Sequence, residues 1–201
     1  MTLTPPTEAA KGRGLPALRG LGTLADSLPV LVIDSREQAP LEFEHLPTVP
    51  GTLYSGDYSI RALEHLFAIE RKSLEDIVAC CMGENRARFE RELGRMRGLH
   101  FKQLVIVGIR AELAAGQYRS RITPKAVLAT LNAFEVRYDT PIIFAETPRV
   151  AAELIERWAW WFAREVVQNA NNLLRGCQGA SVGARRASIP QDPQKLAPQI
   201  G

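Results

Sequence analysis

Apolar and polar residues alternate along the chain in a way that divides it into short, distinct segments. Pro29-Val30-Leu31-Val32-Ile33 is continuous, β-branched and apolar, and it ends at Asp34. Such a run predicts a strand covered on both faces. The stretch from Pro40 to Pro50 has the composition of a loop. Thr52 to Ile60 and Leu66 to Lys72 then alternate apolar with polar around the short link Arg61 to His65, the pattern of a β-hairpin. Ser73 is placed as a helix N-cap with Asp76 three residues on. The helix it opens breaks near Gly83, and a second helical segment follows, with Phe89, Leu93 and Met96 as its apolar stripe. Gln103 to Gly108 predicts another buried strand, and Thr123-Pro124 opens a helix whose apolar face is Val127, Leu128, Leu131 and Phe134. Pro141 to Ala145 predicts the last strand. Thr147-Pro148 starts a final long helix, expected to end near Leu174, with Val150, Leu154, Ile155, Trp158, Trp161, Phe162 and Val166 on a broad stripe. Strand, hairpin, helix, strand, helix, strand, helix is an α/β order, and it predicts a mixed central sheet flanked by helices.

Composition narrows this picture only a little. A chain of 201 residues with 46% hydrophobic content suits one compact domain with tails. Residues 1–28 read as a flexible arm carrying Lys11, Arg13 and Arg19, and residues 176–201 as a disordered tail. That leaves 29–175 as the folded domain. A net charge of +3 neither demands nor excludes nucleic acid. No apolar run approaches a membrane span and no signal-like segment opens the chain, so a cytoplasmic protein is expected, associated with the nucleoid when it acts on DNA. Cys80, Cys81 and Cys177 have no disulfide or zinc spacing, and His45, His65 and His100 are scattered. Neither set is expected to carry chemistry.

The chemistry concentrates between Gly56 and Asp76. Side chains alternate faces along a strand. Glu70 and Lys72 therefore point one way, together with Ala68, while Phe67, Ile69 and Arg71 point the other. Asp57 lies on the face opposite Tyr58, and a neighbouring strand can bring it beside Glu70 and Lys72. Two carboxylates and an ammonium in one place suit a hard divalent cation with an adjacent cationic group.

Asp34-Ser35-Arg36-Glu37, Gly56-Asp57, and Glu70-Arg71-Lys72 with Asp76, in that order, resemble the signature of the XPF family of structure-specific DNA endonucleases. The resemblance covers about Val30 to Arg175 and implies a restriction-endonuclease-like core. It implies Mg²⁺ or Mn²⁺ held by Asp57 and Glu70, with Asp34 and Glu37 as further ligands, directly or through water. Lys72 would orient or help deprotonate the attacking water, or stabilise the phosphorus centre. Arg36 and Arg71 would neutralise phosphate oxygens, with Arg71 alternatively bracing Asp76 or Glu37. Asp76 has two compatible readings, helix cap and site residue. Arg86, Arg88 and Arg95 would contact DNA phosphates or form a solvated face balanced by Glu84, Glu90 and Glu92. Glu92 stands where the family often has glutamine.

The resemblance further implies cleavage of branched DNA (flap or fork) in repair, recombination or replication. It also implies a homodimer formed through the C-terminal helix, whose stripe alternatively serves only the core. The tandem helix-hairpin-helix module of many members has no counterpart here, which implies an accessory DNA-binding protein. Two alternatives stay open: a catalytically silent DNA-binding or dimerisation partner, and a restriction-like nuclease acting on linear DNA.

Overall fold

The computed structural model describes residues 27–179, so nearly all of the expected N-terminal arm and most of the expected tail lie outside the described residues. Six strands form one sheet in the order β2-β1-β3-β4-β5-β6. They are β1 (Leu31–Asp34), β2 (Thr48–Gly51), β3 (Tyr58–Ile60), β4 (Phe67–Ser73), β5 (Phe101–Val107) and β6 (Ile142–Ala145). The sheet is mixed, as expected. β3 runs antiparallel to both β1 and β4, whereas β1 with β2, β4 with β5, and β5 with β6 are parallel.

Helices cover both faces. α1 (Leu74–Ala79), α2 (Gly83–Met96), α3 (Arg110–Ala114) and α4 (Pro124–Tyr138) lie on one side, and α5 (Pro148–Gly179) lies on the other. Strand alternation divides the core between them. Leu31, Tyr58, Phe67, Ile69 and Val105 pack with Ala151, Ile155 and Ala159 of α5. Ala68, Leu104 and Ile106 pack with Ile77, Phe89, Leu93, Val127 and Phe134 on the opposite face.

The caps form where the sequence places them. Ser73 Oγ accepts from the Asp76 amide, and Thr123 Oγ1 accepts from the Ala126 amide. Thr147 Oγ1 accepts from the Val150 amide at the start of α5.

Three features differ from the sequence reading. The region read as loop contains β2, a short edge strand of Thr-Val-Pro-Gly. Its proline and glycine hide it from propensity, and an edge is where proline is tolerated in a sheet. The first hairpin arm is strand only over Tyr58–Ile60, and ahead of it the Leu53 amide and carbonyl bond to the Asp34 and Arg36 side chains. Lastly, α5 runs to Gly179, past the expected end near Leu174 and past the boundary drawn at 175. A glycine inside a helix costs about 1 kcal/mol without forbidding it. Along α5 the buried positions include Ile155 and the small residues Ala151, Ala152, Ala159 and Ala163, while Trp161 is 53% exposed.

Tyr58 joins the α5-side core to the loop before β2. It is fully buried, sits edge-on to Phe43 at 5.5 Å, and its hydroxyl oxygen accepts from the Leu41 amide at 3.0 Å. Burial raises its hydroxyl to a pKa of about 12, so it stays neutral. Tyr58→Phe keeps the ring and orphans a buried amide. It is expected to cost ~1–3 kcal/mol in denaturant unfolding; an unchanged midpoint would show that the Leu41 amide finds another acceptor.

Candidate active site

Gly56 adopts φ +77°, and a Cβ there would stand 2.8 Å from the Ile69 carbonyl oxygen. Only glycine combines that backbone conformation with so close an approach. The approach lets the Asp57 amide donate to Ile69 O at 2.8 Å, while the Arg71 amide donates to Asp57 Oδ2 at 2.7 Å. On the other side the Asp34 amide donates to the Asp57 carbonyl at 2.8 Å. Asp57 is thereby fixed between β1 and β4, on the face where Glu70 and Lys72 emerge.

Glu70 has no exposed surface, yet it is a carboxylate in the middle of a central strand. Lys72 Nζ donates to its Oε1, and Oε2 has no partner. Lys72 Nζ also lies 5.5 Å from the Phe89 ring centroid, which ties α2 to the site. Burial, then the neighbouring Asp57 charge, pushes Glu70 up to about 8 in spite of Lys72. Burial likewise raises Asp57, with Lys72 opposing and Glu37 and Glu92 reinforcing. For Lys72, burial alone would lower the ammonium, but Glu70 and Asp57 overcome it and hold it above its ordinary range. Facing Glu70 and Asp57 without a metal, Lys72 is thus favoured as a cation.

Asp34 and Glu37 are engaged differently. Asp34 Oδ1 accepts from the Arg36 amide and Nε, and Oδ2 accepts from Arg36 Nη2 and the Leu53 amide, all at 2.7–2.9 Å. The Arg36 guanidinium holds Asp34 down to about 2 despite burial. Arg36 Nη2 also donates to the Leu53 carbonyl at 2.7 Å. Glu37 Oε1 accepts from Arg71 Nη2 at 2.7 Å and from the Ala39 amide at 2.8 Å. Of the two bracing partners expected for Arg71, the structure shows Glu37. Asp76 is exposed, and its carboxylate accepts from Ser73 Oγ at 2.6 Å, an arrangement that serves the helix cap.

On α2, Arg88 and Arg95 are exposed, whereas Arg86 is half-buried and bonded to Glu90. Arg88, Glu92 and Arg95 fall at helical spacing on one face, and the Glu92 charge is felt at Asp57, Glu70 and Lys72. Glu92 was legible in the sequence only as a departure from a motif, because nothing local shows which way its helix face turns.

Among the described residues no group of three or more His, Cys, Asp or Glu side chains converges as a ready ligand set. The residues nevertheless fit a divalent cation. The Asp57 charge raises Glu70, burial raises both, and a fully buried Glu70 oxygen lacks any partner. Mg²⁺ characteristically takes one or two carboxylates and completes its shell with water and phosphate.

The ERCC4 domain family model matches residues 33–157, more than half of the chain. The chain belongs to the ERCC4 domain family. Its fold is similar to XPF from Aeropyrum pernix, with a TM-score of 0.55, 20% identity, and coverage of 75% of this chain and 73% of that one. It is also similar to Aeropyrum pernix XPF in complex with DNA, with a TM-score of 0.53, 18% identity, and coverage of 68% and 66%. No curated protein matches the chain. The α/β class and the mixed sheet of this ERCC4 domain thus agree with the XPF nuclease fold expected from its motifs, and no helix among the described residues is long and apolar enough to cross a membrane.

The elevated carboxyls give this domain a signed pH dependence. Both bind protons more tightly folded than unfolded, so their contribution to metal-free stability falls as pH rises from about 4 to about 8. In chelator, Tm is expected to decline across that window, and added Mg²⁺ is expected to raise Tm at pH 8 while leaving it unchanged near pH 4. Equal Mg²⁺ effects at both pH values would contradict cation binding by this pair.

Proposed function

We propose that this domain is a divalent-metal-dependent endodeoxyribonuclease that hydrolyses phosphodiester bonds near junctions in branched DNA, in repair, recombination or replication. The observation that carries this reading is the buried Glu70 with one unpartnered oxygen, set beside Asp57 and the Lys72 ammonium. Family membership and the XPF-like fold support the reaction class. Asp57 and Glu70 would hold Mg²⁺ or Mn²⁺, which when bound supplies Lewis acidity and lowers the pKa of coordinated water.

The chain's own groups do the rest. Lys72 presents a fixed positive charge to the phosphate and holds Glu70 in place. Arg36, whose side chain is 70% exposed, faces the scissile phosphate while bracing Asp34. Arg71 acts through Glu37 and through its amide on Asp57, as a positioning residue. We read Asp34 and Glu37 as braces more than as ligands, since their oxygens already accept from arginine. Asp76 keeps α1 capped beside the site. Arg88 and Arg95, with Arg86 to a lesser degree, would take flanking phosphates, where each contact contributes to salt-dependent affinity.

A homodimer through α5 is supported by what that helix leaves outside, namely Trp161 at 53% and Leu173 at 69% exposure. Trp161→Lys is expected to shift the sedimentation of a dimeric protein toward monomer; an unchanged coefficient would move the interface elsewhere. A separate DNA-binding protein that delivers the substrate belongs to the same reading.

Cleavage of labelled fork, flap and linear duplex DNA with Mg²⁺, Mn²⁺ or chelator tests the proposal. The wild type is expected to cut near the junction only with metal. Glu70→Gln and Asp57→Asn are expected to lose at least ~10²-fold in rate while still folding. Equal cutting of linear duplex would favour the restriction-like alternative, and DNA binding without any cutting would favour a silent partner.

A further inference from the structure

The sheet face that carries Glu70 is covered unevenly. Its apolar cluster draws strand residues from β4, β5 and β6, but none from β1 or β2. Val32 pairs with Ser59 across β1 and β3, and Val49 pairs with Val32. By alternation with Leu31 and Tyr58, which enter the α5-side core, these residues lie on the Glu70 face. Beside the site, that face therefore opens into a groove of about 730 Å³, lined by Val32, Val49, Tyr54, Ser55, Arg61 and His65 among others.

Tyr54 stands at the rim with 83% of its surface exposed, so it has no role in the core. Its backbone is nevertheless rigid, because the preceding Leu53 donates its amide to Asp34 Oδ2 and accepts from Arg36 Nη2 through its carbonyl. The following Ser55 lines the groove, and its buried Oγ has no partner in the protein. Asp57 comes three residues after Tyr54, at most about 11 Å along the chain. Stacked nucleotides rise by about 3.4 Å each, so a strand whose phosphate reaches Asp57 passes Tyr54 within a few bases.

We infer that Tyr54 is a stacking platform for an unpaired DNA base, and that the groove beneath it holds the single-stranded segment next to the scissile phosphate. The inference rests on the nuclease reading above. Single-strand sites combine cationic groups that follow the backbone with aromatic faces on which bases stack. Arg61 provides the first feature, next to Glu64 in the same lining, and Tyr54 provides the second. An exposed ring on a pre-ordered loop meets a base with little further ordering cost.

The test measures affinity in chelator, so that no cutting intervenes. Wild type, Tyr54→Ala and Tyr54→Trp are titrated against a fork and a fully paired duplex, the fork carrying 2-aminopurine in its unpaired arm next to the junction. Tyr54→Ala is expected to bind the fork about tenfold more weakly, to bind duplex within twofold of wild type, and to lose the 2-aminopurine quenching. Tyr54→Trp is expected to restore fork affinity and quenching, and Tm should be unchanged throughout. Wild-type fork binding that Tyr54→Ala leaves intact, or weakens equally on duplex, overturns the stacking role and leaves the nuclease reading standing. A wild type that binds neither DNA overturns the stacking role, and the cleavage assay above judges the nuclease reading separately.

Discussion

A carboxylate with no exposed surface, only half satisfied by its partner, is the constraint around which this domain is arranged. Charged groups of this kind are almost never fully buried unless paired. Glu70 is paired on one oxygen by Lys72 and left open on the other. The surroundings hold it there. Gly56 brings the Asp57 loop against β4, backbone amides pin Asp57 from both sides, and Phe89 of α2 closes over Lys72. A site that destabilises its own metal-free state persists only when the rest of the fold over-determines it. The two apolar clusters, one on each side of the sheet, supply that excess.

The acidic residues divide by the arginines they meet. Asp34 and Glu37 end β1 and follow it, and each is clasped by a guanidinium, Arg36 for one and Arg71 for the other. Charge-assisted bonds to arginine are strong and geometrically defined. They convert two acids into struts that orient the loop ahead of Asp57 and the turn after β1. Glu70 is bonded by a lysine only, a more compact cation that leaves its Oε2 unsatisfied, while Asp57 Oδ2 takes the Arg71 amide. Of the five acids in the motif, Asp34 and Glu37 thus brace the site, Asp76 serves the helix cap, and Asp57 and Glu70 stand beside Lys72.

Much of this was legible from alternation alone. Period-two spacing placed Glu70 and Lys72 together, separated Arg71 from them, and set Asp57 opposite Tyr58; the hairpin register then joined the two runs. Capping chemistry located the starts of α1, α4 and α5 from Ser73, Thr123 and Thr147. What escaped depends on contacts distant in sequence or on residues with weak local preference. β2 is built around proline and glycine and exists because β1 offers it an edge. The contact face of α5 combines Ile155, Leu154, Trp158 and Phe162 with alanines that a reading by large apolar residues passes over, and Trp161 partly leaves the expected stripe. The Glu37–Arg71 pair, which spans 34 residues, was legible through the motif as one of two bracing partners and not from any local pattern. Glu92 reaches the site only because Phe89 and Leu93 dictate how α2 rotates onto the sheet.

The run Glu70-Arg71-Lys72 shows why these three residue types occur in succession at the end of a strand. Alternation sends Glu70 and Lys72 to the face where Asp57 waits, and it sends Arg71 to the face where Glu37 lies. The Arg71 amide, in the plane of the sheet, donates to Asp57 Oδ2. A single residue therefore holds one acid with its side chain and another with its backbone, on opposite sides of β4. Exchanging Arg71 with Lys72 would exchange their faces, placing the arginine against Glu70 and the lysine against Glu37. The reactive pair would then be neutralised by a fork of donors, and the oxygen left open for a cation would be lost. The order of charges along β4 is thus itself part of the site's chemistry, because only this order leaves the buried acid partly unsatisfied while its neighbours are fully bound.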